Sequence, residues 1–145
     1  MKQKITLVRN GQGKDFDYSQ DHCFVKLPSS DTGGALTMVE DQLKPGFRLP
    51  RHHHKRMTEV FYVLEGQIDF VLDDQTITLN AGDTLTIPPN VWHAAESTAG
   101  GRMLTFFNNG RFDEYLSELG ALSDSQFQDQ ALMNSLAEKY DIFEA

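Results

Sequence analysis

Through residue 108 the chain is built of short apolar-rich runs separated by turn residues. "ITLVR", "HCFVKL", "ALTMVEDQL", "EVFYVLEG", "QIDFVL", "QTITL", "DTLTIP", "VWHAAES" and "RMLTFF" are rich in Val, Ile, Thr and aromatics. "DTGG", "KPG", "DDQ", "NAGD", "PPN" and "TAGG" punctuate them. Many short strands at regular spacing predict an all-β sandwich or barrel. "QIDFVL-DD-QTITL" reads as a hairpin. Ile68, Phe70 and Leu72 share one face of its first strand, and Ile77 and Leu79 alternate on its second. "VFYVL" is apolar on both faces, so it needs cover on both sides. One cover is the barrel interior. The other is a set of terminal helices or a second copy of the chain, which makes a homodimer a natural expectation.

After residue 108 the period changes. Phe112, Tyr115, Leu116 and Leu119 fall at i, i+3, i+4 and i+7, a helical stripe ended by Gly120. Ser123 opens a second helix, with Gln126 three residues on as a capping box. Phe127, Ala131, Leu132, Leu136 and Tyr140 form its apolar side. The division is therefore a β domain over residues 1–108 and a helical extension over 109–145, packed on the barrel or on a dimer partner.

Composition narrows the partners. The formal net charge of -8 over 145 residues argues against nucleic acid, which needs a basic face. From Arg111 onward two basic residues, Arg111 and Lys139, face eight acidic ones. Arg48, Arg51, Lys55 and Arg56 gather instead near the histidines. They are either solvated strand edges or a cationic rim that draws anionic small molecules. The amino terminus "MKQKITLVRN" has no apolar core of a signal peptide, and no run approaches a membrane span. The single cysteine, Cys23, forms no intramolecular disulfide and reads as a small buried hydrophobe. A cytoplasmic location is expected.

The candidate chemistry lies in "GFRLPRHHHKRMTEVFYVLEG", Gly46 to Gly66. His52 and His54 are two apart, so on a strand they share a face while His53 points away. Glu59 follows at the wrong parity for a continuous strand. "KRMT" must therefore turn or bulge before Glu59, Phe61 and Val63 face inward. His93, in "GDTLTIPPNVWH", is the fourth candidate; His22 and His53 are not ligands in this reading.

These two windows resemble the two motifs of the cupin family. Gly46, His52, His54, Glu59 and Gly66 match G-x5-H-x-H-x4-E-x6-G in full. Gly82, Pro88 and His93 match G-x5-P-x-G-x2-H-x3-N, with Asn90 in place of its last glycine and Ser97 in place of its asparagine. Asn is the next best residue for a positive-φ turn. The flanking "DTGGALTMVE" and "FFNNGRFDEYLSELG" look like those of small quercetin-dioxygenase-like cupins. The resemblance implies a double-stranded β-helix, the jelly-roll cupin barrel, followed by the helical extension. It implies that His52, His54, Glu59 and His93 hold one divalent transition metal: Fe, Mn, Ni, Cu or Zn. Three imidazoles and a carboxylate leave two of six octahedral positions free, as reactive sites require.

Three activities follow as expectations. The first is a dioxygenase acting on an enol- or catechol-type substrate, with Glu59 as the catalytic base. Phe61, Phe70 and Phe106 are its candidate pocket residues by strand parity. The second is a redox-neutral isomerase, decarboxylase or lyase on a hydroxy or keto acid held by the basic rim. The third is a non-catalytic module that binds a small molecule.

Overall fold

The computed structural model describes residues 5–145. Ten strands pair throughout in antiparallel fashion. They are β1 (Asp15–Asp17), β2 (Asp21–Leu27), β3 (Leu36–Leu43), β4 (Phe47–His53), β5 (Thr58–Val71), β6 (Thr76–Asn80), β7 (Thr84–Ile87), β8 (His93–Ser97), β9 (Gly101–Asn108) and β10 (Phe143–Glu144). The path runs β1-β2-β3-β9-β5-β8-β4-β10, with β6 and β7 also on β5.

β5 explains the architecture. The sequence pattern predicts two strands either side of Gly66, but the structure has one strand of 14 residues. Its first half pairs with β7 and β9, its second half with β6 and β8. The pairing with β9 slips between Val63 and Glu65, and Gly66 takes a φ of 86°. The strand thus bends out of one sheet and into the other, and the two sheets curl over a common interior. This is the jelly-roll expected from the motifs. Phe61, Val63, Ile68, Phe70, Leu79 and Met103 form the core between the sheets, each at most 2% exposed.

The helices close the other end. α1 (Phe112–Gly120) lays Leu116 and Leu119 onto Cys23, Val25, Val39 and Phe107, the inner face of the first sheet. Phe112 stacks on Phe107 at 4.1 Å. The expected second helix is in fact two. The Ser123–Gln126 capping box is present, but α2 (Asp124–Phe127) stops after four residues. Asp129 then caps α3 (Gln130–Lys139), its carboxylate accepting the Leu132 N–H. The restart rotates the apolar face: Ala137 is buried with Met133 and Leu136 beside it, while Phe127 is 45% exposed and Ala131 faces solvent. A cap competes locally with helix continuation, and the i+3/i+4 pattern alone does not reveal it.

Two further expectations change. "ITLVR" forms no strand; Ile5 is fully exposed and Leu7 largely so. The residues before it fall outside the described range. The helices do not cover the second face of "VFYVL": Val60 and Tyr62 lie on the outer side with their neighbours Phe106 and Leu104 on β9. No helix among the described residues is long and apolar enough to cross a membrane.

Candidate metal centre

β4 carries His52 on its inner side, and His54, just past the strand's end, faces the same way. Its register with β8 sets His52 directly across from His93. The chain leaves β4 after His53, turns through residues 54–57, and re-enters a strand at Thr58, which resolves the parity mismatch and turns Glu59 inward. The second motif docks on the same turn: Asn90, at a φ of 67°, donates its N–H to the His54 carbonyl at 2.6 Å. Ser97, buried, donates its hydroxyl to the Gln67 carbonyl at 2.7 Å and so closes the other departure from the motif.

His52, His54, Glu59 and His93 are all buried, and one donor atom of each lies within 4.8 Å of the rest. Donors about 2 Å from a shared ion sit roughly 3 to 4 Å apart, so the cluster needs little contraction to close on one. Each Nδ1 faces a backbone carbonyl: His52 that of Pro50 at 2.8 Å, His54 that of Asp141 at 2.8 Å, His93 that of Val91 at 2.9 Å. A carbonyl only accepts, so each Nδ1 carries hydrogen and each neutral ring turns an Nε2 lone pair inward. His54 and His93 Nε2 sit 2.9 and 3.0 Å from Glu59 Oε2, itself an acceptor. Four acceptors converge on one buried point. Such a set is satisfied only by a cation, a proton or a metal ion, and it fits the latter.

The electrostatics agree. Burial alone would raise the Glu59 pKa, but in the metal-free cluster a proton taken up on the facing Nε2 of His54 or His93 is donated to Glu59, and this overcomes burial and holds the carboxylate well below its usual range. Burial likewise opposes charge on His54, yet Glu59 outweighs it and raises the pKa above the ordinary histidine value. Burial dominates at His52 and takes it down to about 4, so this ring stays neutral. His22 lies elsewhere, 2.8 Å from Asp15. His53 points away from the cluster, against Trp92 and Phe143.

The cluster opens into a cavity of about 300 Å³. Phe61 lines it. Phe70 sits behind Phe61, ring centroids 4.6 Å apart, in the core. Phe106 is a correction. Met103, Thr105 and Phe107 face inward from β9, so Phe106 points to the outer side and Phe107 takes its place on the cavity wall. In "RMLTFF" both phases offer an aromatic, and only the pairing with β3 and β5 selects one. The basic rim is also redistributed. Arg51 pairs with Asp73 at 2.7 Å and lies over Trp92, and Lys55 lies over Phe143. Of the four basic residues only Arg48 reaches the cavity, and it lies 3.6 Å from Glu96.

The same cavity holds a group the sequence reading missed. Asp21 from β2 and Asp41 from β3 lie together beside Cys23, with Thr105 donating to Asp41 at 2.7 Å. Burial, then the charge of Asp41, pushes Asp21 up to about 9; burial also raises Asp41. Two acids so placed share a proton. The signal was present: Val39, Asp41 and Leu43 alternate, which puts an acid on the apolar face of β3.

Comparison with known proteins agrees with this geometry. Residues 39–107 match the family model described as a cupin domain. Quercetin 2,3-dioxygenase of Bacillus subtilis (strain 168) is 34% identical over 91 residues, 62% of this chain but 27% of that protein. An RmlC-like cupin from Shewanella frigidimarina superposes with a TM-score of 0.65 at 25% identity, over 79% of this chain and 99% of that one. The chain contains a cupin domain and has the cupin fold. KdgF from Halomonas sp. shares the fold, with a TM-score of 0.66 at 19% identity over 75% of this chain and 99% of that one. All four clustered residues lie inside the stretch matched to the cupin domain. Asp21 and the helical extension of this cupin lie outside it.

Proposed function

We propose that this cupin binds one divalent transition metal through His52, His54, Glu59 and His93, and that it acts as a dioxygenase on a small enol- or catechol-type substrate. The observation that carries the proposal is the convergence of four buried acceptors, each histidine fixed by a carbonyl behind it. Iron or manganese is the functional choice; nickel, copper and zinc suit the same donors. A bound ion supplies Lewis acidity, drawing electron density from a coordinated oxygen and lowering the pKa of an attached hydroxyl.

The chain's own groups do the rest. Glu59 is the base that takes the substrate hydroxyl proton. The Asp21–Asp41 pair holds a second movable proton on the β2–β3 wall, able both to donate to a hydroxyl and to accept from one. Phe61 and Phe107 offer flat apolar surface to a planar ring, while Met103 and Leu116 exclude water. The cavity volume suits a small ligand. The similarity to quercetin 2,3-dioxygenase supports the same reading.

A second reading is favoured by one observation. Arg48 at the cavity gives a carboxylate a place to bind, which suits a redox-neutral isomerase, decarboxylase or lyase of a hydroxy or keto acid. The acidic wall opposes it. One experiment separates the two: metal analysis of the purified protein, then a substrate screen with and without oxygen. Oxygen consumed in proportion to substrate supports the dioxygenase. Equal turnover in its absence supports the second reading, and metal bound with no turnover would make this a binding module.

The proposal includes a homodimer in the cytoplasm. Val60, Tyr62, Leu104 and Phe106 form an apolar outer face on β5 and β9 that the helices leave uncovered, and a second copy would bury it.

A further inference from the structure

The turn that solves the parity problem is held by a residue 84 to 86 positions further along the chain. Asp141 follows α3, is 3% exposed and takes a φ of 66°. Its carboxylate accepts three backbone N–H groups: Lys55 at 2.9 Å, Arg56 at 2.8 Å and Met57 at 2.8 Å. Its own carbonyl accepts Nδ1–H of His54 at 2.8 Å. The chain then continues as β10, which pairs Phe143 with His53 and Glu144 with His52. The N–H of Ala145 reaches the Arg51 carbonyl at 3.1 Å.

Each contact has a physical consequence. The turn presents three successive N–H groups, two part-buried and that of Met57 buried, to a carboxylate that is itself buried and so has little access to other partners. One carboxylate satisfies all three with charge-assisted bonds. The same residue's carbonyl fixes which nitrogen of His54 carries hydrogen, and so which one faces Glu59. The required φ suits Asp or Asn among residues with side chains.

We infer that Asp141 is the positioning residue of the site: it shapes the turn joining His54 to Glu59, and through it the C-terminal extension sets how tightly the cluster holds its metal. The inference rests on the metal reading above. It assigns the extension a part that covering the barrel does not require. By reciprocity, metal binding must also tighten the extension.

The test compares Asp141→Asn with Asp129→Ala. The first keeps size and tolerance of the backbone angle but removes the charge and sets an NH2 against N–H donors. The second removes the α3 cap away from the turn. Titration with Zn(II) against a chelator should show Asp141→Asn weakened by about 10- to 100-fold, the usual effect of losing a partner behind a metal ligand. Asp129→Ala should stay within about twofold while lowering thermal stability. Without metal, amide exchange at residues 55–57 should speed up in Asp141→Asn alone, and the bond from His54 Nδ1–H to the residue 141 carbonyl should weaken, read as a shift of the His54 Nδ1 resonance. In the wild-type chain, which needs no variant to fold, zinc should slow exchange at residues 141–145.

Unchanged exchange at 55–57 in Asp141→Asn overturns the positioning role. Equal weakening in Asp129→Ala, or no response of 141–145 to zinc, overturns the coupling to the extension. If the wild-type chain bound no divalent metal while 55–57 still responded to the substitution, the metal reading would fall and the shaping of the turn would stand.

Discussion

Gly66 is where β5 passes from one sheet to the other, and replacing it separates two effects that are usually entangled. A Cβ there would lie 2.6 Å from the Gly100 carbonyl oxygen and 2.9 Å from Gly101 Cα, both backbone atoms that cannot swing aside. The φ of 86° adds left-handed strain. Strain of that kind costs about 1–2 kcal/mol. Forcing extra volume into a packed contact costs about 1–3 kcal/mol more. Gly66→Ala should therefore destabilise by roughly 2–5 kcal/mol. Gly82 is the control: its φ is 91°, and nothing lies within 4 Å of its notional Cβ. Gly82→Ala should lose only the strain, about 1–2 kcal/mol. The entropy that alanine removes from the unfolded chain is common to both and cancels in the difference. Urea denaturation of the metal-free proteins, with unchanged m-values, measures the gap. Two variants equal within about 0.5 kcal/mol would refute the claim that β5 and the start of β9 are in tight backbone contact at this bend, since that is the usual scatter of surface changes.

Further predictions concern the site. His54→Ala and Glu59→Ala should each lose most of the metal retained after dialysis. His53→Ala should keep it, although loss of packing on Trp92 and Phe143 should cost about 1 kcal/mol of stability; equal metal loss in all three would break the assignment of faces. Asp21 has a raised pKa in the folded chain, so its contribution to stability is full below the unfolded value, about 4, and is lost as pH rises toward about 9. Asp21→Asn lacks that titration. Its thermal midpoint should gain on that of the wild type as pH goes from 5 to 8, and parallel curves would show that the acid pair shares no proton.

Much of this protein is written locally. Period-two runs such as "QIDFVL" announce strands because a strand's two faces meet different surroundings, and Ile68 and Phe70 are both 0% exposed. His52 and His54 share a face by that same parity. Asn90 takes the positive φ that its motif position demands. That His93 meets His52 was implied by the resemblance of the two motifs to the cupin pattern, and the pairing of β4 with β8 sets the two opposite each other. What the sequence left open is what depends on partners distant along the chain. Phe106 and Phe107 are equivalent until β3 and β5 set the phase of β9. Asp21 and Asp41 become one proton-sharing unit only when β2 and β3 pair. Arg51 is a rim residue until Asp73 takes it. Asp141 looks like any acid near a helix end until the fold lays it under the turn at residues 55–57. Periodicity and spacing report the environment of a single element. Which buried donor meets which buried acceptor is fixed when elements dock, because only the tertiary structure excludes the water that would otherwise satisfy them.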